Sequence, residues 1–269
     1  MALDGMASVR GERLRRLAHD RLTPGTLTTI SLLGLLAIWW IAAAVADSRV
    51  LPTPPQVFEV FWRDAVSGEL WFHLAMTLMR VAFAFVAAMA IGSVIGIGMG
   101  ISRQANRFFD PWLILFLNIP ALVVIVLAYI WFGLNEVAAI GAIAVNKIPN
   151  VVVTMREGAK ALDPQLSEMA RIYRFGAAKR IRHVVLPQLQ PYFSAASRSG
   201  LALIWKIALV VELLGRSDGV GFQINLYFQL FDVAGILAYT LAFVAVMLAI
   251  ELMLVQPFEA RATRWRRPR

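Results

Sequence analysis

Few side chains in this sequence could carry out covalent or acid–base chemistry. Its three histidines, His19, His73 and His183, all lie outside the long apolar runs, so no imidazole pair within a membrane could hold zinc or activate a serine. There is no cysteine, which excludes disulfides and thiolate metal sites. The spacings H-E-x-x-H, G-x-S-x-G and G-x-x-x-x-G-K-[ST] are absent, so metalloprotease, serine hydrolase and nucleotide-hydrolysing readings have no support. What remains is a pair of lysines deep in apolar sequence, Lys147 and Lys206, the first beside Asn146 and close to Pro149. A cation in hydrocarbon costs roughly 2.5 to 3.5 kcal/mol on insertion scales, so such residues face water, a partner or a path. Asn146, Lys147 and Lys206 are therefore expected to line a translocation path that favours a small anion. The alternative is that the lysines snorkel, or bond to carbonyls freed near Pro149.

The elements that would hold these residues are membrane helices. Hydrophobic residues make up 59% of the 269 positions and the mean hydropathy is +0.67, more than a soluble core of this length requires. The sequence predicts an all-α integral membrane protein with about six spans, near 27–46, 77–101, 111–133, 136–156, 190–213 and 233–256. With a net charge of +9, nucleic acid is one conceivable partner, but the basic residues cluster at span ends. Placing the N-terminus inside puts 19 of the 26 Lys/Arg on inner segments, so both termini are expected to be cytoplasmic. No linker divides the chain. The expected organisation is a basic segment at 1–26, a transmembrane domain at 27–260 with a charged loop at 157–189, and a basic tail at 261–269. The stretch RGERLRRLAHDR before the first apolar run, with Ala44-Val45-Ala46 at that run's end, resembles a secretory signal. Its length suits a retained bilayer crossing better.

Two patterns concern packing. Ala84, Ala88, Gly92, Gly96 and Gly100 recur every four residues, a small-residue stripe that lets another backbone approach closely. Arg80 and Glu212 lie at matching depth toward the outer face, and Arg198 and Glu251 toward the inner one, so each pair is expected to meet if its helices are neighbours.

The charged loop reads EMARIYRFGAAKRIRHVVLP from Glu168 to Pro187. Asp163-Pro164 is a helix start signal, with Asp as cap and Pro at the first helical position. Met169, Ile172, Tyr173 and Gly176 then recur at helical steps, with Glu168, Arg171, Arg174 and Lys179 largely off that stripe. Leu186-Pro187 is expected to end the helix and re-aim the chain into the fifth span. The apolar stripe is short, which suits a protein groove better than a lipid surface.

Glu168-Met169-Ala170, with Pro187 nineteen residues after the glutamate, resembles the EAA loop of binding-protein-dependent ABC transporter permeases. ThrLeuMetArgVal at 77–81, IlePro at 119–120, IleTrpPheGly at 130–133, LeuValValGluLeuLeuGly at 209–215 and GlyValGlyPhe at 219–222 are similar to the nitrate, sulfonate and taurine importer group. The likeness covers roughly 75–260. It departs from the family at Arg174, where glycine is usual, and at Met169, where alanine is. The resemblance implies an importer permease in a bacterial inner membrane, paired with a second copy, two cytoplasmic ATPases and an external binding protein. ATP and magnesium would sit on the ATPases, and no cofactor is implied for this chain. The residues Glu168, Met169, Ala170, Arg171, Tyr173, Arg174 and Gly176 would form the coupling helix. A secondary transporter or channel would explain the spans but not this loop.

Overall fold

Glycine, proline and short polar caps break the chain where local chemistry requires it. The computed structural model describes residues 24–46, 48 and 50–257. The expected basic segments at 1–26 and 261–269 lie wholly or largely outside these residues, as does Arg49. The described residues are helical, without strands.

α1 (Pro24–Ala46) is apolar and almost wholly exposed, tied down at Ala43 and through the Trp39 indole, which donates to the Pro52 carbonyl at 3.1 Å. α2 (Pro54–Ser67) starts with proline in its first turn, and Gln56 Oε1 accepts the Thr53 N–H at 2.8 Å. Gly68, at φ 89°, supplies the left-handed turn into α3. α3 (Glu69–Ile101) is 33 residues long, about 50 Å at ~1.5 Å per residue. It begins well before the expected residue 77, so His73 falls inside a long helix and is 7% exposed rather than lying in a loop.

The expected straight span at 111–133 is a bent pair. α4 (Arg103–Asn118) and α5 (Ala121–Phe132) meet at 95°. Pro120 has no N–H to continue the ladder and biases Ile119 toward extended backbone, where it sits at φ −71°, ψ 125°. α6 (Glu136–Lys160) is capped by Asn135, whose Oδ1 accepts the Ala138 N–H at 2.8 Å. α7 (Pro164–Ile172) is the short helix of the charged loop.

Leu186-Pro187 does not end a helix. α8 (Ala177–Arg180) runs through a π turn at Ile181–Val185 directly into α9 (Leu186–Gly215). In the π turn the Leu186 N–H reaches back to Ile181, and the Gln188 side chain donates to the Val184 carbonyl at 2.8 Å. This wider register absorbs the donor that Pro187 lacks, so the helix continues. The break lies earlier, between Ile172 and Ala177. α10 (Val220–Gln229) and α11 (Val233–Ile250) complete the chain, with a second π turn at Glu251–Val255.

Among the described residues, four helices are long and apolar enough to cross a membrane, namely α1, α3, α6 and α11 with its π turn, or five if the bent pair is one span. α9 is 30 residues long but carries Arg198, Lys206 and Glu212, which dilute its apolar character.

At the centre, α3, α6 and α9 pack through small residues. Ala84, Ala88, Ala139, Ala142 and Ala208 lie at their contact, each at most 2% exposed. Gly92 and Gly96 bring α3 against α6: a β-carbon at Gly92 would stand 2.6 Å from Val151 Cβ, and one at Gly96 would stand 2.6 Å from the Val152 carbonyl. At Gly100 it would collide with Ala159. The stripe is thus an intramolecular seam with no space for side chains.

Candidate coupling surface and translocation residues

α7 is built as a projecting, well-terminated handle. Asp163 Oδ1 accepts the Gln165 N–H at 2.8 Å, while the Asp163 N–H donates to Gln188 Oε1 at 2.9 Å and so ties the loop to the start of α9. Ala170 is fully buried beneath the helix. Glu168, Arg171 and Arg174 are exposed, and so are the apolar Leu166, Met169, Ile172 and Tyr173, the last two at 76% and 72%. A helix that turns its apolar residues outward lacks its packing partner among the described residues.

Its C-terminal turn accounts for the odd residue at position 174. Phe175 N–H donates to Ala170 O at 2.8 Å and Arg174 N–H to Arg171 O at 3.0 Å. Those two bonds form a Schellman closure, which requires a left-handed residue at the position Arg174 holds. Arg174 adopts it, at φ 51°. Glycine is favoured there because the left-handed region costs a β-carbon-bearing residue roughly 1–2 kcal/mol. The turn therefore keeps the glycine shape with a strained arginine in it. Gly176 follows as the cap of α8, and Lys179 Nζ sits 4.4 Å from the Phe175 ring centroid.

The opposite end of the bundle holds a buried charge cluster around Arg80. Sequence matching paired Arg80 with Glu212, and Arg80 Nη1 does donate to Glu212 Oε1 at 2.8 Å, both side chains being 0% exposed. The sequence reading missed the rest. Arg80 also donates to Glu136 through Nε at 2.9 Å and Nη2 at 2.7 Å, to the Asp218 carbonyl at 3.0 Å, and to the Asp218 carboxylate. All five guanidinium N–H groups are used. Arg216 joins through Glu136 at 2.5 Å. Glu212 Oε2 is held in turn by the Thr77 hydroxyl at 2.8 Å and the Gly221 N–H at 2.9 Å. A β-carbon at Gly221 would stand 2.8 Å from Glu212 Cβ, so the GlyValGlyPhe segment wraps the glutamate because it lacks side chains there. Co-occurrence of that segment with the glutamate was the available signal. Arg198 is exposed on α9, and Glu251 opens the π turn after α11.

The three candidate path residues are not together. Asn146 is partly buried and its amide donates to the Ala142 carbonyl at 2.9 Å. Lys147 is 1% exposed with no hydrogen-bond partner for Nζ. Lys206 is exposed on α9. Among the described residues no group of three or more His, Cys, Asp or Glu is placed to hold a metal ion.

Residues 88–256 match the family described as the binding-protein-dependent transport system inner membrane component. A Bacillus subtilis (strain 168) protein named for aliphatic sulfonates transport permease is 34% identical, over 71% of this chain and 70% of its own length. The taurine transport system permease of Escherichia coli (strain K12) is 30% identical, over 74% and 75%. Among solved structures, an amino acid ABC transporter chain superposes with a TM-score of 0.59 at 22% identity, covering 73% of this chain and 95% of that one.

Proposed function

From its membership in the family of binding-protein-dependent transport system inner membrane components, in which it is a multi-pass permease subunit of an ABC importer, we propose a coupling site, a substrate class and an assembly for this chain. The importer works with an ATPase and a binding protein, as the family implies.

In the proposed assembly two copies of this chain sit in a bacterial inner membrane with both termini in the cytoplasm. Each is engaged by one ATPase subunit that binds the ATP and magnesium, and a soluble binding protein delivers the solute from outside. α7 is the coupling helix. Its exposed Met169, Ile172 and Tyr173 seat in a groove of the ATPase, and Glu168 meets a basic residue there. The observation that carries this reading is a short helix, capped at both ends, that presents an apolar face outward and has no partner for it among the described residues. Closure of the ATPase pair on ATP draws the two α7 helices together and moves α6 and α9, between which α7 is strung.

The solute is a small anion of the sulfonate class. Support comes from the relatives named for sulfonates and taurine and from the two membrane-depth lysines, Lys147 and Lys206.

The test of coupling is Glu168→Arg in the assembled transporter. Glu168 is exposed and its change leaves α7 capped, so insertion and folding are expected to persist. Copurification of the ATPase and solute uptake are both expected to fall. Full uptake with normal ATPase retention would remove Glu168 from the coupling role.

A further inference from the structure

An ammonium group brings three donors and no acceptor, and burying one without partners is among the costliest placements in a protein. Lys147 is so placed: it is 1% exposed and Nζ bonds to nothing. The Val145 carbonyl, which loses its usual N–H donor to Pro149, does not accept from it. Among the described buried side-chain atoms lacking a partner, Arg216 Nε belongs to a guanidinium that bonds through both Nη atoms, and Ser93 Oγ and Tyr239 OH are uncharged. Lys147 alone is a cationic side chain with no bond at all in that set.

Its room is made by glycine. A β-carbon at Gly200 would stand 2.6 Å from Lys147 Cε and 3.2 Å from Nζ, with the Phe85 ring 3.7 Å away. The amine therefore lies in the seam between α6 and α9, pressed on a bare stretch of backbone, with α3 alongside.

We propose that Lys147 is an anion contact of the translocation path and that this structure holds it masked, its Nζ enclosed by the α6–α9 seam and released to the solute when those helices part at Gly200. The inference rests on the importer reading and adds a state dependence to it. A ligand shifts a conformational equilibrium only through a difference in its contacts with the two states. An ammonium that is enclosed in one state and open in the other supplies such a difference to a sulfonate, whose oxygens are acceptors, and one of the opposite sign to a cation, which it repels.

The chain has no cysteine, so Lys147→Cys gives it one thiol. The full chain, assembled with its ATPase in vesicles, is exposed to 2-sulfonatoethyl methanethiosulfonate, itself a small sulfonate, at rest and during ATP turnover, and labelling is read from the mass of this chain. Labelling is expected to be slow at rest and at least about tenfold faster during turnover, with Ala84→Cys, in the centre of the bundle, unlabelled in both. In uptake of ethanesulfonate, Lys147→Met is expected to raise KM about ten- to hundredfold, the range of one charge-assisted hydrogen bond, and Lys147→Arg to raise it less. If the wild-type chain fails to retain an ATPase, the importer reading itself is at fault. If it assembles and transports, but the thiol at 147 labels equally in both conditions or in neither, the masked contact is wrong.

Discussion

Replacing Arg80 with methionine keeps most of its length and removes the charge that holds three acids together. The arginine is 0% exposed, and its loss strands Glu212, also 0% exposed, with only Thr77 and Gly221 as donors. Removing one member of a buried pair costs roughly 3–5 kcal/mol because the other charge is left uncompensated. The lower end applies here. Glu136 keeps Arg216 at 2.5 Å, and the Glu136 and Asp218 side chains are 35% and 20% exposed, so water relieves them in part. A loss of about 3 kcal/mol is a large part of the roughly 5–15 kcal/mol that holds a typical domain folded. At ~2–4 °C per kcal/mol for a chain of this size, the melting midpoint falls by about 6–12 °C. Glu212→Gln in the same background removes the stranded charge while keeping an acceptor for Gly221, and the double variant is expected to recover about half of the loss. The assay is thermal unfolding of the purified chain in detergent, followed by size-exclusion recovery after heating. An Arg80→Met variant as stable as the parent, or a double variant that loses the sum of the two single losses, would refute the account of the cluster.

Two further outcomes follow from the backbone. Arg174→Gly relieves the strained left-handed residue in the α7 turn, and after the added flexibility of glycine is subtracted it is expected to leave stability unchanged or raise it by up to ~1 kcal/mol. Arg174→Val is expected to destabilise the turn, with both read by hydrogen exchange at Phe175. Gly96→Leu forces a side chain against the Val152 carbonyl and Met155. It is expected to cost about 1–3 kcal/mol and to lower the yield of folded chain, with Gly98→Leu, which meets open space, as the tolerated control.

Legibility in the sequence followed the range of the interaction. The Asp163-Pro164 start of α7 could be read because a cap acts within three residues. The four-residue stripe from Ala84 to Gly100 could be read because its period matches the helix. Arg80 and Glu212 could be paired by depth, since both lie in long helices. Glu136, Asp218 and Arg216 could not, because residues at span ends are counted as solvent-facing until the chain is seen to fold back over Arg80. Hydropathy counts apolar residues and is blind to direction, so the 95° bend at Ile119-Pro120 was invisible. Pro187 misled because a proline breaks an α-helix but not one that slips into a π turn just ahead of it. For position 174 the sequence showed only an unusual residue, while the left-handed turn it occupies is set by bonds from Arg174 and Phe175 back to Arg171 and Ala170.

The helix that runs unbroken from Ala177 through the π turn to Gly215 is a lever. At ~1.5 Å per residue it is about 58 Å long, with its near end a few residues beyond the α7 handle and Glu212 three residues short of its far end. A rotation of ~5° about its middle displaces each tip by ~2.5 Å in opposite senses, on the length set by that rise. That displacement is comparable to the 2.8 Å contact between Arg80 and Glu212. A small tilt imposed on the loop side would thus shift the Glu212 end of the rod, some five nanometres away, by about the length of one ion-pair contact. The π turn, where the ladder is loosest, is where such a rod would bend if its far end were held.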